Sequence, residues 1–260
     1  MHTFIIAEIG INHNGNLKTA AKMIQAACDA GADAVKFQTY RAEKLFGLDG
    51  DALACAKQAE LTHSNHVALM ACCDILGIKF ISTPFDYESI ELLYNLGLDI
   101  VKVSSLFATN EKFLSKLTDF PQAIVSTGMC DLNDIRNILE ILPNATLLHC
   151  TSSYPTPMED VNLEAMITLQ ELAHTGLSDH TRGIEVSIAA AALGAEVIEK
   201  HFTLDKNMAG PDHAMSLEPD ELTQMIKSIR NVEKAMGDGI KRPMPSEVKV
   251  MKRKESIWTK

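Results

Sequence analysis

One local pattern recurs along the chain and limits the fold more than any other feature. A helical segment ends in Gly, one or two residues follow, and a short, β-branched apolar run begins. It occurs at 30–37, 76–81, 96–103 and 193–200. Glycine just past a helix accepts the left-handed backbone that stops it. The run behind it has the length and content of a strand buried on both faces. The same reading predicts eight strands, at 4–9, 34–38, 79–82, 100–103, 122–126, 146–150, 176–178 and 197–202, each followed by a helical segment. Leu17, Ala20, Ala21, Ile24 and Ala27 share one helical face. So do Ile135, Ile138, Leu139 and Leu142 behind a candidate N-cap at Asp131, and Leu222, Met225, Ile226, Ile229 and Val232 behind Pro219.

Eight strand–helix units within residues 1–240 predict an α/β chain folded as a (β/α)8 TIM barrel, a single domain. The rival is a doubly wound open sheet. That fold usually carries G-x-G-x-x-G after its first strand, and G-I-N-H-N-G at 10–15 does not match. Residues 241–260 read as a basic C-terminal tail or linker remnant. They hold seven Lys or Arg against Glu247 and Glu255, which leaves 17 basic and 32 acidic residues in the body. The tail is expected to be solvated. The net charge of −10 makes the chain a poor general ligand for nucleic acid or an anionic membrane. The six cysteines show no C-x-x-C spacing, and the apolar run at 4–9 is too short for a leader or a membrane span. Reduced thiols and a cytoplasmic location are the expectation.

In such a barrel, the C-terminal ends of the strands line the active site. Those ends carry Glu8 (with Asn12 and His13 in its loop), Lys36 and Gln38, Ser82 and Thr83, then Lys102, Ser104 and Ser105. Ser126 and Thr127, His149 and Thr151, then Ser178, Asp179 and His180, and finally Glu199, Lys200 and His201 complete the set. Taken singly, such a Lys is often a surface ion pair and such a Ser or Thr a cap. Taken together, all eight ends are polar above apolar strand bodies, an arrangement that costs stability unless it serves a ligand. Lys36 and Lys102, with several hydroxyls, suit a dianion such as phosphate. His180 and His201 come from adjacent strands, so two imidazoles can meet at one divalent ion with positions left open for water and substrate. Ligand type alone does not separate Mn2+, Mg2+, Co2+ and Zn2+. Glu8 and Asp212 add carboxylates able to hold hydroxyls or move protons.

Nine ordered motifs carry a resemblance. They are A-E-I-G-I-N-H-N-G at 7–15, K-F-Q-T at 36–39, S-T-P-F at 82–85, S-T-G-M at 126–129, L-H-C-T at 148–151, Y-P-T-P at 154–157, G-L-S-D-H-T at 176–181, E-K-H-F-T at 199–203 and G-P-D-H at 210–213. In this wording and order, the chain resembles the sialic acid synthase (N-acetylneuraminate synthase) family from residue 4 to about 258. The resemblance implies a transferase that condenses phosphoenolpyruvate with an N-acetylated amino sugar, giving a nine-carbon 2-keto acid and phosphate. It assigns Lys36, Lys102, Ser105, Ser126, Ser152 and Ser178 to phosphoenolpyruvate, and His180 and His201 to the metal. Mn2+ is expected ahead of Mg2+ or Co2+. Glu8, Tyr154 and Asp212 would face the sugar, with Glu8 or a metal-bound water as proton acceptor.

Three departures from the family accompany the resemblance. A position after Lys102 that is usually acidic is Phe107 here, and the connection from Gln38 to Ser82 is shorter than expected. The resemblance extends over the barrel, and the C-terminal antifreeze-like domain through which typical members reach across a homodimer is expected to be missing. Two other readings compete. In one, Lys36 or Lys102 forms a Schiff base with a keto acid, as in an aldolase or lyase. In the other, a synthase-like barrel binds a sugar without turning it over.

Overall fold

Alternation along eight parallel strands decides which side chains meet. A computed structural model describes residues 2–45, 47 and 49–258. The strands are β1 (Phe4–Gly10), β2 (Ala34–Thr39), β3 (Lys79–Pro84), β4 (Ile100–Val103), β5 (Gln122–Ser126), β6 (Thr146–Cys150), β7 (Thr175–Asp179) and β8 (Val197–His201). They pair in chain order and close, with β8 on β1, into a barrel of parallel neighbours. The expected (β/α)8 barrel is the observed fold, with strand ends shifted by no more than two residues.

Helices α1 (Leu17–Ala30), α2 (Gly50–Ala59), α3 (His63–Leu76), α4 (Tyr87–Asn95), α5 (Glu111–Leu114), α6 (Leu132–Ile141), α7 (Ala165–Gln170), α8 (Glu185–Ala192) and α9 (Pro219–Met236) fill the connections. Two helices, rather than one, follow β2, and β4 is followed by a single helical turn, α5. Local chemistry explains the boundaries. Asn16 caps α1, and Gly31 ends it at φ 91°. Asp131 caps α6 and exchanges hydrogen bonds with Asp134. Where the sequence reading has only a solvated tail, the chain forms a further helix, α10 (Val248–Trp258). The described Lys and Arg of that segment are exposed, and Lys260 lies outside the described residues. Among the described residues no helix is long and apolar enough to cross a membrane.

Side chains two apart on a strand share a face. On β1, Ile5, Ala7 and Ile9 join a large core with α1, α8 and α9, while Ile6 belongs to a separate small cluster with Ala34, Ile81, Ile124, Leu148 and Val197. That cluster plugs the barrel interior. Two residues further along the same strands, the inward positions become Glu8, Lys36, Thr83, Ser126, Cys150 and Glu199. The apolar plug is therefore the floor beneath a polar layer. A second core, from Val101, Val103, Val125 and Leu147 outward to Phe113, Ile135 and Ile138, closes the other half of the helix layer.

Candidate functional site

All eleven residues expected at the site line one cavity of about 390 Å3 at the C-terminal mouth of the barrel. Glu8, Lys36, Lys102, Ser105, Ser126, Ser152, Tyr154, Ser178, His180, His201 and Asp212 all face it. At its floor, Lys36 Nζ lies 2.9 Å from Glu8 Oε2 and donates to Thr83 Oγ1 at 2.9 Å. Lys102 Nζ donates to Ser126 Oγ at 2.6 Å and to the Val103 carbonyl at 2.9 Å. Each ammonium is also 3.8 Å from Glu199 Oε2. Glu199 Oε1 accepts from Ser178 Oγ at 2.9 Å. These lysines and carboxylates are at most 5% exposed. Charges held this far from water survive only by mutual pairing.

Burial and neighbours divide the ionisation of this layer. Burial drives the Glu8 carboxyl up to about 7, against the pull of Lys36. Burial also works against charge on Glu199, but Lys102 and Lys36 outweigh it and hold that carboxyl near 2. Lys36 is likewise opposed by burial, yet Glu199 and Glu8 raise its pKa, so it stays an ammonium. Lys102 is lowered by burial. Two neighbouring carboxylates are thus set apart: one firmly ionised, one poised to exchange a proton near neutrality.

Two residues beyond Ser178 and Glu199, the His180 and His201 ring centroids are 5.6 Å apart. Tyr154 lies over His180 with centroids 4.1 Å apart and meets His201 edge-on at 6.0 Å. His180 Nδ1 is 2.9 Å from the Thr151 carbonyl, which can only accept. That contact puts the proton on Nδ1 and leaves the Nε2 lone pair to the cavity when the ring is neutral. His201 is kept well below its usual range by burial, then by His180 and Lys36, so its imidazole is neutral. Its Nδ1 is buried without a hydrogen-bond partner, 4.0 Å from Asp212 Oδ2. Burial opposes charge on His180, but Cys150 and the Thr151 carbonyl outweigh it and raise its pKa; with His180 neutral, the two imidazoles beside a carboxylate are a donor set that fits a divalent cation. Among the described residues, no group of three or more His, Cys, Asp or Glu is arranged to hold a metal.

Two glycines shape the walls. Gly10 has φ 53°, and a Cβ there would stand 3.0 Å from Glu8 Oε1 and 3.4 Å from Gln38 Nε2. At Gly128 a Cβ would come within 2.2 Å of Ser152 Oγ and 2.9 Å of Ser105 Oγ. Its absence lets two hydroxyls from different loops converge, and the Gly128 N–H donates to Ser105 Oγ at 3.0 Å.

Other strand-end residues turn away from the cavity. Lys200 Nζ pairs with Asp179 Oδ2 at 2.9 Å and donates to the Thr181 carbonyl, outside the barrel layer. Ser82 bonds Thr39 and the Phe37 carbonyl, His149 the Val161 carbonyl, Thr127 the Leu148 carbonyl and Thr151 the Asp160 carbonyl. Asn12 ties the chain to Phe202 and Ser216. Phe107 stacks on Phe113 at 4.3 Å and does not line the cavity. The residue-level reading assigned no role to Glu199, Gln38, Thr83 or Cys150, all of which do line it. The available signal was strand parity: Lys36 with Gln38, and Glu199 with His201, are two apart on their strands.

Comparison with known proteins adds relatives to this geometry. A family model described as the NeuB family matches residues 23–241. The chain is 47% identical to N,N'-diacetyllegionaminic acid synthase of Campylobacter jejuni, over 95% of this chain and 81% of that protein. It is 36% identical to human N-acetylneuraminate-9-phosphate synthase, over 94% of this chain and 74% of the other. Its backbone matches a crystal structure of N-acetylneuraminic acid (sialic acid) synthetase from Leptospira borgpetersenii in complex with citrate. That match has a TM-score of 0.91 and 36% identity, and covers all of this chain and 94% of that one.

Proposed function

The chain belongs to the NeuB family of sialic-acid-type, C–C bond-forming synthases, and on that premise we propose that it condenses phosphoenolpyruvate with the aldehyde of an N-acetylated amino sugar. The products are a nine-carbon 2-keto acid and phosphate. The observation that carries this reading is the convergence of two buried ammoniums and two imidazoles on one cavity. Relatives named for neuraminate-9-phosphate and legionaminic acid synthesis support the substrate class and leave the particular sugar open.

Lys36 and Lys102 neutralise the phosphate and carboxylate of phosphoenolpyruvate, and Ser105, Ser126, Ser152 and Ser178 orient them by directed hydrogen bonds. Ser152 Oγ is buried without a partner of its own, a hydroxyl available to a ligand. His180 and His201 would hold a divalent cation, Mn2+ ahead of Mg2+ or Co2+. When bound, that ion supplies Lewis-acid polarisation of the sugar aldehyde. Tyr154 and Asp212 hold the sugar beside it. The terminal carbon of phosphoenolpyruvate bonds to the aldehyde carbon, and the aldehyde oxygen gains a proton as it becomes a hydroxyl. Water adds at the adjacent carbon, where positive charge has developed, and gives up a proton to Glu8. Loss of phosphate then leaves the ketone. The protein's contribution is positioning and fixed charge. The reaction is assigned to the cytoplasm.

Incubating the protein with Mn2+, phosphoenolpyruvate and N-acetylmannosamine or a diacetamido trideoxy sugar tests this reading. Phosphate release with a product mass equal to the condensed acid is expected. Silence across such a panel would overturn it. The lyase reading requires a neutral amine; burial opposes charge on both cavity lysines, and Lys102 is the one whose pKa is lowered on balance, since Glu199 and Glu8 raise that of Lys36. Borohydride trapping with pyruvate separates the two, because the synthase forms no covalent adduct.

A further inference from the structure

Behind the wall of the cavity lies a buried charge cluster that the mechanism above does not use. The ladder between β7 and β8 pairs Leu177 with Ile198, Ser178 with Glu199 and, last, Asp179 with Lys200. Alternation sends Ser178 and Glu199 into the cavity and Asp179 and Lys200 to the outer face. Lys200 Nζ lies 2.9 Å from Asp179 Oδ2, and the two residues are 1% and 2% exposed. Asp179 Oδ1 accepts from the Thr181 N–H at 2.8 Å and from Thr181 Oγ1 at 2.7 Å. Its Oδ2 also accepts from Ser187 Oγ, on α8, at 2.6 Å. Lys200 Nζ donates in turn to the Thr181 carbonyl at 2.6 Å. None of these four residues lines the cavity.

The cluster brackets the two imidazoles. Asp179 and Thr181 stand on either side of His180, and Lys200 directly precedes His201. Past the end of the ladder the two backbones part. The His180 carbonyl accepts from the Thr156 N–H at 3.0 Å, and the His201 carbonyl from the Leu217 N–H at 2.8 Å, so each is tied to a different loop. The bond from Lys200 to the Thr181 carbonyl, one residue beyond His180, joins the exit of β7 to β8. Two imidazoles that share a cation must each bring a nitrogen to about 2.1 Å from it. A site of this kind works only when its side chains are held to within about 0.5 Å. Net stability does not account for the pair, because apolar residues of similar volume stabilise such a position as well or better. Directed, charge-assisted hydrogen bonds supply a fixed geometry that apolar packing does not.

We propose that Asp179 and Lys200 are positioning residues: the buried pair locks the ends of β7 and β8 together so that the His180 and His201 imidazoles face one cation at a fixed separation. The inference rests on the metal reading given above and names what holds that site in shape.

The test titrates metal-free protein with Mn2+ and reads Kd from the electron paramagnetic resonance signal of the unbound ion, without substrate or turnover. His180→Ala should abolish binding, which assigns the signal to this site. Asp179→Leu combined with Lys200→Met replaces the pair by apolar side chains of similar volume and should leave the urea midpoint close to that of the unsubstituted protein. The Mn2+ Kd of this double variant is expected to rise about tenfold or more. Thr181→Val keeps the shape and deletes one hydroxyl; it serves if the double variant does not fold, with binding weakened about threefold. A folded double variant or, failing that, a Thr181→Val protein that binds Mn2+ as tightly as the unsubstituted chain overturns the inference and leaves the pair a structural element only. An unsubstituted protein that takes up no Mn2+, or takes it up equally well after His180→Ala, would instead sink the metal reading, so the two failures are distinct.

Discussion

The two ends of the barrel make an instructive pair. At the N-terminal face, His2, Lys79, Asp99, Gln122 and Glu196 line a depression of about 650 Å3, larger than the cavity at the mouth. Its charged groups remain in contact with water. Glu196 pairs with His174 at 2.8 Å, with the two side chains 44% and 72% exposed. Three residues further along the chain, Glu199 is 5% exposed between two lysines at the mouth. Volume does not mark the site; desolvated charge lining a cavity does, whereas the equally buried Lys200–Asp179 pair lies outside it. An exposed ion pair is worth at most about 1 kcal/mol and places no demand on its surroundings. A buried one is held against a solvation penalty of several kcal/mol per ion and survives only where its partners are fixed in place.

Experiments can break or sharpen that contrast. The largest effect is expected from removing the metal. Dialysis against a chelator should reduce phosphate release to background, Mn2+ should restore it, and His201→Ala should remain inactive with added metal. Activity that survives chelation would remove the two-imidazole centre from the mechanism. Next, Lys102→Ala should lower kcat/KM about a thousandfold, by loss of a fixed charge in a water-excluded site. Lys79→Met at the other end should change it less than about twofold, and comparable losses would dissolve the distinction between the faces.

Glu199→Gln keeps the shape but leaves two ammoniums short of a counter-charge. A loss of about 3 kcal/mol in unfolding free energy is expected, together with a changed KM for phosphoenolpyruvate. Glu196→Gln should cost under about 1 kcal/mol. Denaturant melts of the two variants side by side read this difference directly.

A pH effect of similar size comes from His13, which is 1% exposed and held down at about 4 by burial, with an added push from His66. Between pH 6.5 and 4 the unfolded chain binds a proton that the folded chain refuses. The stability contribution is therefore complete above pH 6.5 and is lost as pH falls toward 4, by up to about 3 kcal/mol. Stability in this window should rise with pH. His13→Asn offers an oxygen where Nδ1 now accepts the Gly15 N–H, and should flatten the slope. An unchanged slope would show that another group governs acid unfolding.

Much of this was readable in the residues before any coordinates. All eight predicted strands exist, because an apolar, β-branched run behind a helix-ending Gly has few alternatives. The polar strand ends pointed to the correct mouth. Within those ends, however, the linear sequence did not separate Glu199 from Lys200. Both are buried and charged, yet one faces the cavity and the other pairs with Asp179 behind the wall. Strand parity separates them only once Val197 and His201 are known to point inward.

By itself, then, the sequence determined the alternation of strands and helices, and with it closure into a barrel whose chemistry sits above an apolar plug. Those are consequences of local propensity and periodicity, which act over a few residues. Tertiary structure alone decided that Glu199 stands midway between Lys36 and Lys102 and that Glu8 is poised near neutrality. Each depends on how much water the fold excludes and on which distant strands become neighbours, and those quantities do not exist until the barrel has closed.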